Sequence, residues 1–296
     1  MDKIKIIVIL GPTATGKSDL AILLAKKFNG EVISADSRQV YRGMNIGTGK
    51  VTRKEIKDVP HYLLDIISPK NIFTVSEYKK RATEAIIKIL KKDKIPIICG
   101  GTGLYIQSII DDLVIPEVPA NPEFRKKLEK RSVDELYEML KNVDPRRAEE
   151  IDRKNKVRLI RAIEITEALG FVPELKKVGN KYDFLQIGLM LDKDGLNEKI
   201  HGRLLKRIRA GMIAEVKRLV ESGVSWKRLH DFGLEYRFVA NHIKGKTTRN
   251  EMIRLLEIAI RQYAKRQMTW FKRDKRIRWF DPKDVEKIET EIENFL

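Results

Sequence analysis

The stretch Gly11-Pro-Thr-Ala-Thr-Gly16-Lys17-Ser18 decides the fold class of this 296-residue chain. It fits the pattern G-x-x-x-x-G-K-[ST], which marks a phosphate-binding loop when a strand precedes it and a helix follows. An apolar, β-branched run over 4–10 and a helical pattern over 17–28 supply both neighbours. Loop amides, the helix dipole and the Lys17 charge favour phosphate, and the Ser18 hydroxyl suits Mg²⁺. The sequence therefore predicts a polyphosphate site, with Ser18 as metal ligand, formed by Gly11, Pro12, Thr13, Ala14, Thr15, Gly16, Lys17 and Ser18.

Predicted strands and helices alternate through the first part of the chain. Short apolar strands are expected over 31–35 and 95–99, and an amphipathic helix over 76–91 that begins with its serine as the cap. A further strand is expected over 184–191. This alternation predicts an α/β fold with a P-loop nucleotide-hydrolase-like core, whose parallel sheet is covered by helices.

A helical insertion interrupts this pattern. Residues 116–122 contain three prolines, which is typical of a boundary. Residues 124–168 then have helical periodicity with no strand candidate. We therefore predict an insertion domain over 113–180, set into a core formed by 1–112 and 181–296, whose last part is helical and basic.

The charge of the chain points to a polyanionic partner. The net charge is +18, and residues 199–280 contribute most of it, with 22 basic and 7 acidic side chains. Neutralising phosphates releases condensed counterions, so such a surface favours nucleic acid. The alternative is a solubilising surface of the kind found in Lys-rich proteins from hot environments.

The number of cysteines and the length of the apolar runs indicate the cellular compartment. Cys99 is the single cysteine, which excludes an internal disulfide and a multi-cysteine zinc site. No apolar run approaches the roughly 20 residues that span a bilayer, and no export signal is recognised at the N-terminus. We expect a cytoplasmic protein without a membrane partner.

Several further segments follow the phosphate loop in a characteristic order. They are Ile33-Ser-Ala-Asp-Ser-Arg-Gln-Val-Tyr-Arg-Gly-Met-Asn-Ile-Gly-Thr48, Pro60-His-Tyr-Leu-Leu-Asp-Ile66, Gly100-Gly-Thr-Gly-Leu-Tyr105 and Arg261-Gln-Tyr-Ala-Lys-Arg-Gln-Met-Thr-Trp-Phe271. These segments, together with Asp144-Pro145 and residues 155–164, resemble the signatures of the bacterial tRNA dimethylallyltransferases over almost the whole chain.

The resemblance implies a prenyl transfer. The loop would hold the diphosphate of dimethylallyl diphosphate while N6 of the adenosine 3′ of a tRNA anticodon attacks the allylic carbon. The exocyclic amine is a poor nucleophile and needs a base. The family pattern gives that role to Asp36, diphosphate clamping to Arg203, and contact with the diphosphate or orientation of the reacting groups to Thr13. Asp36 as a magnesium-associated carboxylate is the alternative. Asp192 is interpreted as a strand end or helix cap.

The resemblance also implies how tRNA is bound. The target base must be turned out of its stack and read as a single-stranded loop. Family positions that contact tRNA correspond to Asp36, Ser37, Arg38, Gln39, Thr102, Arg125, Val157, Arg158, Leu159, Ile160, Arg161, Lys265 and Arg266. For Tyr263 and Trp270, two interpretations remain open: stacking on RNA, and packing within the protein on a helix face shared with Gln267. The chain departs from the family pattern at Arg38, Lys199, Leu234 and Ile260.

Three other functions fit parts of the sequence. A small-molecule kinase would use the same loop and a helical lid, and a related enzyme prenylates free AMP, ADP or ATP. Neither explains the basic region at 199–280. A non-catalytic RNA-binding GTPase or ATPase is disfavoured because no Asn-Lys-x-Asp motif is present. From the family precedent and the lack of a heptad repeat we expect a monomer without an obligate protein partner.

Overall fold

The computed structural model describes residues 3–56, 58–174 and 181–296. Its strands are β1 (Ile4–Leu10), β2 (Gly30–Ala35), β3 (His61–Tyr62), β4 (Ile95–Gly100), β5 (Tyr182–Leu189) and β6 (Arg278–Phe280). They form one six-stranded sheet in the order β3-β2-β4-β1-β5-β6. Every neighbouring pair is parallel. The predicted α/β core with a parallel sheet is thereby confirmed.

Helices occupy both faces of the sheet and the insertion. They are α1 (Lys17–Lys27), α2 (Arg53–Ile56), α3 (Val75–Leu90), α4 (Gly103–Ile110), α5 (Pro122–Glu129), α6 (Val133–Val143), α7 (Pro145–Glu150), α8 (Lys156–Leu169), α9 (Lys193–Arg209), α10 (Met212–Glu221), α11 (Trp226–Phe232), α12 (Leu234–Ile243), α13 (Arg249–Phe271) and α14 (Val285–Phe295). Within the described ranges, none is long and apolar enough to cross a membrane.

The two faces of the central strand enter different cores, because successive side chains of a strand point to opposite sides. Ile6 and Val8 of β1 pack into the larger core, to which α3, α4 and α9–α13 contribute. Ile7 and Ile9 pack into a smaller core with α1 and α14. Burial on both faces explains why β1 is a continuous apolar run rather than an alternating one.

The chain divides into two compact units. One comprises Met1–Asp112 and Gly179–Leu296, and the other comprises Leu113–Val178. The second unit contains α5–α8 and has a hydrophobic core of its own, which includes Leu128, Leu136, Leu140 and Leu159. Residues 175–180 of the predicted insertion lie outside the described residues.

Element boundaries agree with the sequence predictions to within a few residues, except at one helix cap and two edge strands. The predicted cap at Ser76 was wrong. Helix α3 begins after Thr74, whose hydroxyl accepts from the Glu77 amide (3.2 Å) while the Glu77 carboxylate accepts from the Thr74 amide (2.8 Å). This reciprocal capping box satisfies two helix-end donors. Strands β3 and β6 were missed because two or three residues are too short for a periodic signal.

Candidate active site

The phosphate loop lies at the carboxyl edge of the sheet, between β1 and α1, where parallel α/β sheets bind ligands. Gly16 precedes α1 with φ 88° and ψ 12°, a left-handed conformation that glycine adopts without strain. Within the loop, the Thr15 hydroxyl donates to the Pro12 carbonyl oxygen (3.0 Å). The turn thus brings the amino end of α1 to this edge, as the motif predicts.

Lys17 lies within the loop, and no carboxylate of the described residues forms an ion pair with it. Its ammonium group donates to the Pro12 carbonyl oxygen at 2.5 Å. Burial lowers the pKa of Lys17 to about 8, and the positive charge of Arg203 acts in the same direction. An ammonium group held this way gains most from an anionic ligand, because an opposite charge restores its protonated form.

Arg203 reaches the same loop from α9. Its guanidinium donates to the Thr13 hydroxyl over a long distance of 3.4 Å. Burial and the neighbouring Arg207 lower the pKa of Arg203 to about 10. Arg207 is paired with the Glu235 carboxylate (2.9 Å), whereas Arg203 has no carboxylate within 4 Å among the described residues. The family pattern gave Arg203 and Thr13 separate roles at the diphosphate, and the structure brings the two side chains into contact.

Asp36 follows β2 at the same sheet edge. One of its carboxylate oxygens accepts from the amides of Arg38 (2.7 Å) and Gln39 (3.3 Å). The adjacent Ser37 amide donates to the Thr102 hydroxyl at 3.0 Å, so the loops after β2 and β4 are joined. The polar residues 36–39 and Thr102, predicted separately from the sequence, therefore form one cluster.

The Arg38 guanidinium lies over the ring of Phe232. Its guanidinium carbon is 5.5 Å from the centroid of Phe232, and one nitrogen donates to the Asp231 carbonyl oxygen at 3.5 Å. Arg228 covers the same ring at 4.4 Å and is also 5.4 Å from the ring of Tyr41. Cation–π contacts of this kind hold the loop after β2 against α11.

A buried carboxylate that the sequence analysis missed holds the segment at 45–47. Glu215 on α10 accepts from the amides of Asn45 (2.8 Å), Ile46 (2.7 Å) and Gly47 (3.0 Å). The Tyr236 hydroxyl donates to the same carboxylate at 2.9 Å. Because these partners lie far apart in sequence, no local pattern signals the contact.

Gln267, which helical spacing places on a possible packing face with Tyr263 and Trp270, is buried. Its side-chain oxygen accepts from the Thr13 amide (2.9 Å), and its side-chain nitrogen donates to the Gly101 carbonyl oxygen (2.8 Å). Trp270, on the same helix, packs against the larger core, and a Cβ on Gly103 would lie 2.2 Å from its ring. The structure therefore favours the packing interpretation for Trp270. Tyr263 is half-buried, and for its ring stacking on RNA and packing both stay predictions.

The predicted tRNA residues of the second unit differ in accessibility. Val157 is 77% exposed, and Arg158 is also exposed. Leu159 and Ile160 are instead buried in the core of that unit, so their side chains stabilise α8 and offer no surface to RNA. The prediction of contacts from these two side chains needs this correction.

Arg125 and Arg161 both bind the buried Glu164. Arg125 donates to both carboxylate oxygens (2.9 and 2.6 Å), and Arg161 donates to one of them and to the Val118 carbonyl oxygen (2.8 Å). Burial alone would raise the pKa of Glu164, but the hydrogen bonds from Arg125, the Asn121 amide and Arg161 lower it to about 2. The two arginine side chains remain about one-third exposed.

Two further predicted residues lie on the outer side of α13. Lys265 and Arg266 are exposed, and the Arg266 guanidinium carbon is 6.0 Å from the centroid of the Tyr263 ring. Asp192, at the end of β5, caps α9 by accepting from the Gly195 amide at 2.6 Å. The interpretation of Asp192 as a cap is confirmed.

The phosphate loop has room for a divalent metal ion alongside bound phosphate oxygens. No group of three or more His, Cys, Asp or Glu side chains suited to a metal occurs in residues 3–56, 58–174 and 181–296. Mg²⁺ commonly takes one or two protein ligands, with phosphate oxygens and water completing its shell. The Ser18 hydroxyl makes no hydrogen bond to another described residue, so it can serve as such a ligand.

Most of the chain is similar to known proteins of one family. Residues 39–274 match the model of the family described as IPP transferase. The chain is 42% identical to a tRNA dimethylallyltransferase of Carboxydothermus hydrogenoformans, over 99% of both chains. It is 41% identical to one of Halothermothrix orenii, over 98% of this chain and 92% of that one.

Solved structures extend the similarity to the whole fold. A full-length tRNA isopentenylpyrophosphate transferase from Bacillus halodurans is 35% identical with a TM-score of 0.75, covering 99% of this chain and 96% of that one. A eukaryotic dimethylallyltransferase acting on tRNA is 27% identical with a TM-score of 0.79, covering 97% of this chain and 76% of that one. The family match, the identities and the shared phosphate-loop fold lead to one conclusion: this chain belongs to the IPP transferase family.

Proposed function

We propose that this chain transfers a dimethylallyl group from dimethylallyl diphosphate to N6 of the adenosine 3′ of a tRNA anticodon, and releases diphosphate. The observation that carries the proposal is the division of charge at the sheet edge. Lys17 and Arg203 have no carboxylate within 4 Å among the described residues, while Asp36 lies on a neighbouring loop without a paired cation. The two cations, Lys17 and Arg203, suit an anionic leaving group. The Asp36 carboxylate suits the role of proton acceptor. The names of the similar enzymes support this assignment.

The proposed reaction is a displacement at the allylic carbon. The bond from N6 to that carbon forms as the bond from the carbon to the diphosphate oxygen breaks. Asp36 accepts the proton that N6 loses, which is the task of a general base. Lys17, Arg203 and the loop amides stabilise the negative charge that develops on the leaving diphosphate. The amides of Arg38 and Gln39 fix the orientation of the Asp36 carboxylate.

Ser18 is the residue that would hold the metal. When bound, Mg²⁺ neutralises charge on the diphosphate oxygens. The protein needs no dedicated metal cage for this purpose, since one hydroxyl and the substrate supply ligands. Magnesium is therefore our proposal for the divalent ion.

Exposed residues of both units would bind the tRNA. Lys265 and Arg266 on α13 are exposed and can bind phosphate groups. Val157 and Arg158 on α8 are also exposed and can contact the unstacked bases of a loop. We assign the second unit to the anticodon stem-loop and the first unit to the chemistry. Since its proposed substrate is tRNA, we place the protein in the cytoplasm and expect it to act as a monomer.

A transfer assay tests the proposal against its nearest rivals. The enzyme is mixed with radiolabelled dimethylallyl diphosphate, Mg²⁺ and unmodified tRNA with adenosine 3′ of the anticodon, with AMP and ATP as acceptors in parallel. Label in tRNA, lost when that adenosine is changed to guanosine, is the expected result. Label in AMP or ATP would make the chain an adenylate prenyltransferase. ATP turnover without transfer would make it a kinase-like enzyme.

A further inference from the structure

Gln267 connects two loops of the sheet edge. Its side chain is aligned between the phosphate loop, through the Thr13 amide (2.9 Å), and the loop after β4, through the Gly101 carbonyl oxygen (2.8 Å). The residue is 7% exposed, although it directly follows Lys265 and Arg266, which face solvent. Removing this buried side-chain amide would cost free energy, because the Thr13 N–H and the Gly101 carbonyl oxygen would each lose a hydrogen bond.

The second connection continues to the proposed base. Thr102 directly follows Gly101, and its hydroxyl accepts from the Ser37 amide at 3.0 Å. Ser37 directly follows Asp36. A continuous path of hydrogen bonds and single peptide links thus runs from the diphosphate-binding loop, through Gln267, to the carboxylate that would accept the proton.

The residue types at both ends of this path fit a bridging role. The amide of glutamine offers one acceptor and one donor, which match a backbone N–H on one loop and a backbone C=O on the other. Gly101 allows the close approach, since a Cβ there would lie 2.4 Å from the Gln267 side-chain nitrogen. A larger residue at position 101 would displace the bridge.

We propose that Gln267 is a positioning residue that fixes the separation between the leaving diphosphate and the Asp36 carboxylate. This inference rests on the proposed function. Displacement requires the attacking nitrogen, the allylic carbon and the leaving oxygen to be held in near-attack geometry, and small misplacements reduce the rate strongly. Gln267 touches neither substrate in this scheme; it acts by holding the two loops together.

The test separates chemistry from binding in the variant Gln267→Leu, which keeps the approximate volume and loses both hydrogen bonds. We expect the single-turnover rate at saturating substrates to fall about 30- to 100-fold. The Kd values for dimethylallyl diphosphate and for tRNA, measured separately, should stay within about threefold, because their ligand groups remain. Gln262→Leu, an exposed position on the same helix, is the matched control and should retain the wild-type rate.

Gly101→Ala supplies a second, independent test. It retains Gln267 and displaces its nitrogen, so it should also reduce the single-turnover rate with little change in either Kd. The double variant should be no slower than Gln267→Leu, because both changes remove one bridge. Folded Gly101→Ala enzyme with the wild-type rate, or fully multiplicative effects in the double variant, would overturn the inference. Absence of transfer by the wild-type enzyme would instead refute the proposed function.

Discussion

The sheet-edge site and the insertion unit treat charge in opposite ways. In the insertion, the buried Glu164 is bound by Arg125 and Arg161, and hydrogen bonds lower its pKa to about 2 despite burial. At the sheet edge, Lys17 and Arg203 have lowered pKa values and no carboxylate within 4 Å among the described residues. The buried charge of Glu164 is thus neutralised by partners within the protein, whereas the charges of Lys17 and Arg203 are available to bind an anionic ligand.

The largest expected effect concerns the unpaired carboxylate of the site. Asp36→Asn keeps the shape of the side chain and loses its basicity, so the transfer rate should fall about 10³-fold. Affinity for tRNA should remain within about threefold of the wild-type value, because the loop geometry persists. Radiolabel transfer and filter binding measure the two quantities. Transfer at the wild-type rate would remove Asp36 from the chemistry.

Arg203→Met tests whether the positive charge of Arg203 contributes to catalysis and not to the stability of the fold. We expect kcat/KM for dimethylallyl diphosphate to fall about 10²-fold, with no loss of thermal stability, because burial of an unpaired guanidinium is unfavourable. Steady-state kinetics and the Tm measured by calorimetry check both parts. Arg209→Met, an exposed position on α9, is the control. A clear drop in Tm would show that Arg203 is structural.

Arg125→Ala should have the opposite outcome. Removing this partner leaves the buried Glu164 with fewer hydrogen bonds, so unfolding free energy should decrease by about 1–3 kcal/mol, after discounting for the exposed third of Arg125. Denaturant titration measures the loss. Arg131→Ala breaks an exposed ion pair with Glu135 in the same unit and should cost less than about 0.5 kcal/mol. Equal losses in the two variants would contradict the comparison.

The pKa of Lys17 gives a pH dependence with a definite sign. Its charge is present below about pH 8 and is lost as the pH rises through that value. We expect kcat/KM for dimethylallyl diphosphate to fall by up to tenfold per pH unit above this point. Lys17→Arg should move the decline to higher pH, since arginine stays protonated. Lys26→Arg, exposed on the same helix, should leave the wild-type profile unchanged.

The smallest effect is expected at the surface of α13. Arg266→Ala should weaken tRNA binding about threefold at low salt and reduce the slope of log K against log salt by about 1. Binding titrations at several salt concentrations measure both. Arg254→Ala, which removes an exposed arginine nearer the start of the same helix, is the control with the same change of charge. A slope identical to that of the wild type would exclude Arg266 from the RNA surface.

Local patterns predicted most of the fold and the phosphate loop, whereas the roles of Asp36 and Arg203 came from the family resemblance and stay predictions. The phosphate loop is contained in eight consecutive residues, and the core strands are apolar runs, so both are visible in the sequence. Thr74 was missed as a cap because the capping box depends on which of two nearby hydroxyls enters the turn. The roles of Glu215 and Gln267 depend on partners more than 160 residues away, for which no local periodicity exists. The tie between Arg125 and Glu164 was missed for the same reason.

Strand order also has a consequence for synthesis. The central strand β1 pairs with β4 on one side and with β5 on the other, and the insertion separates those two partners in the sequence. At about 5–20 residues per second, β5 leaves the ribosome roughly 5–20 seconds after β4. During that interval the insertion can form its own core, whereas the edge of β1 that will pair with β5 is still unpaired. The unpaired edge of β1 in a nascent chain could therefore pair with a strand of another chain. A chaperone that covers apolar strands would act during this interval.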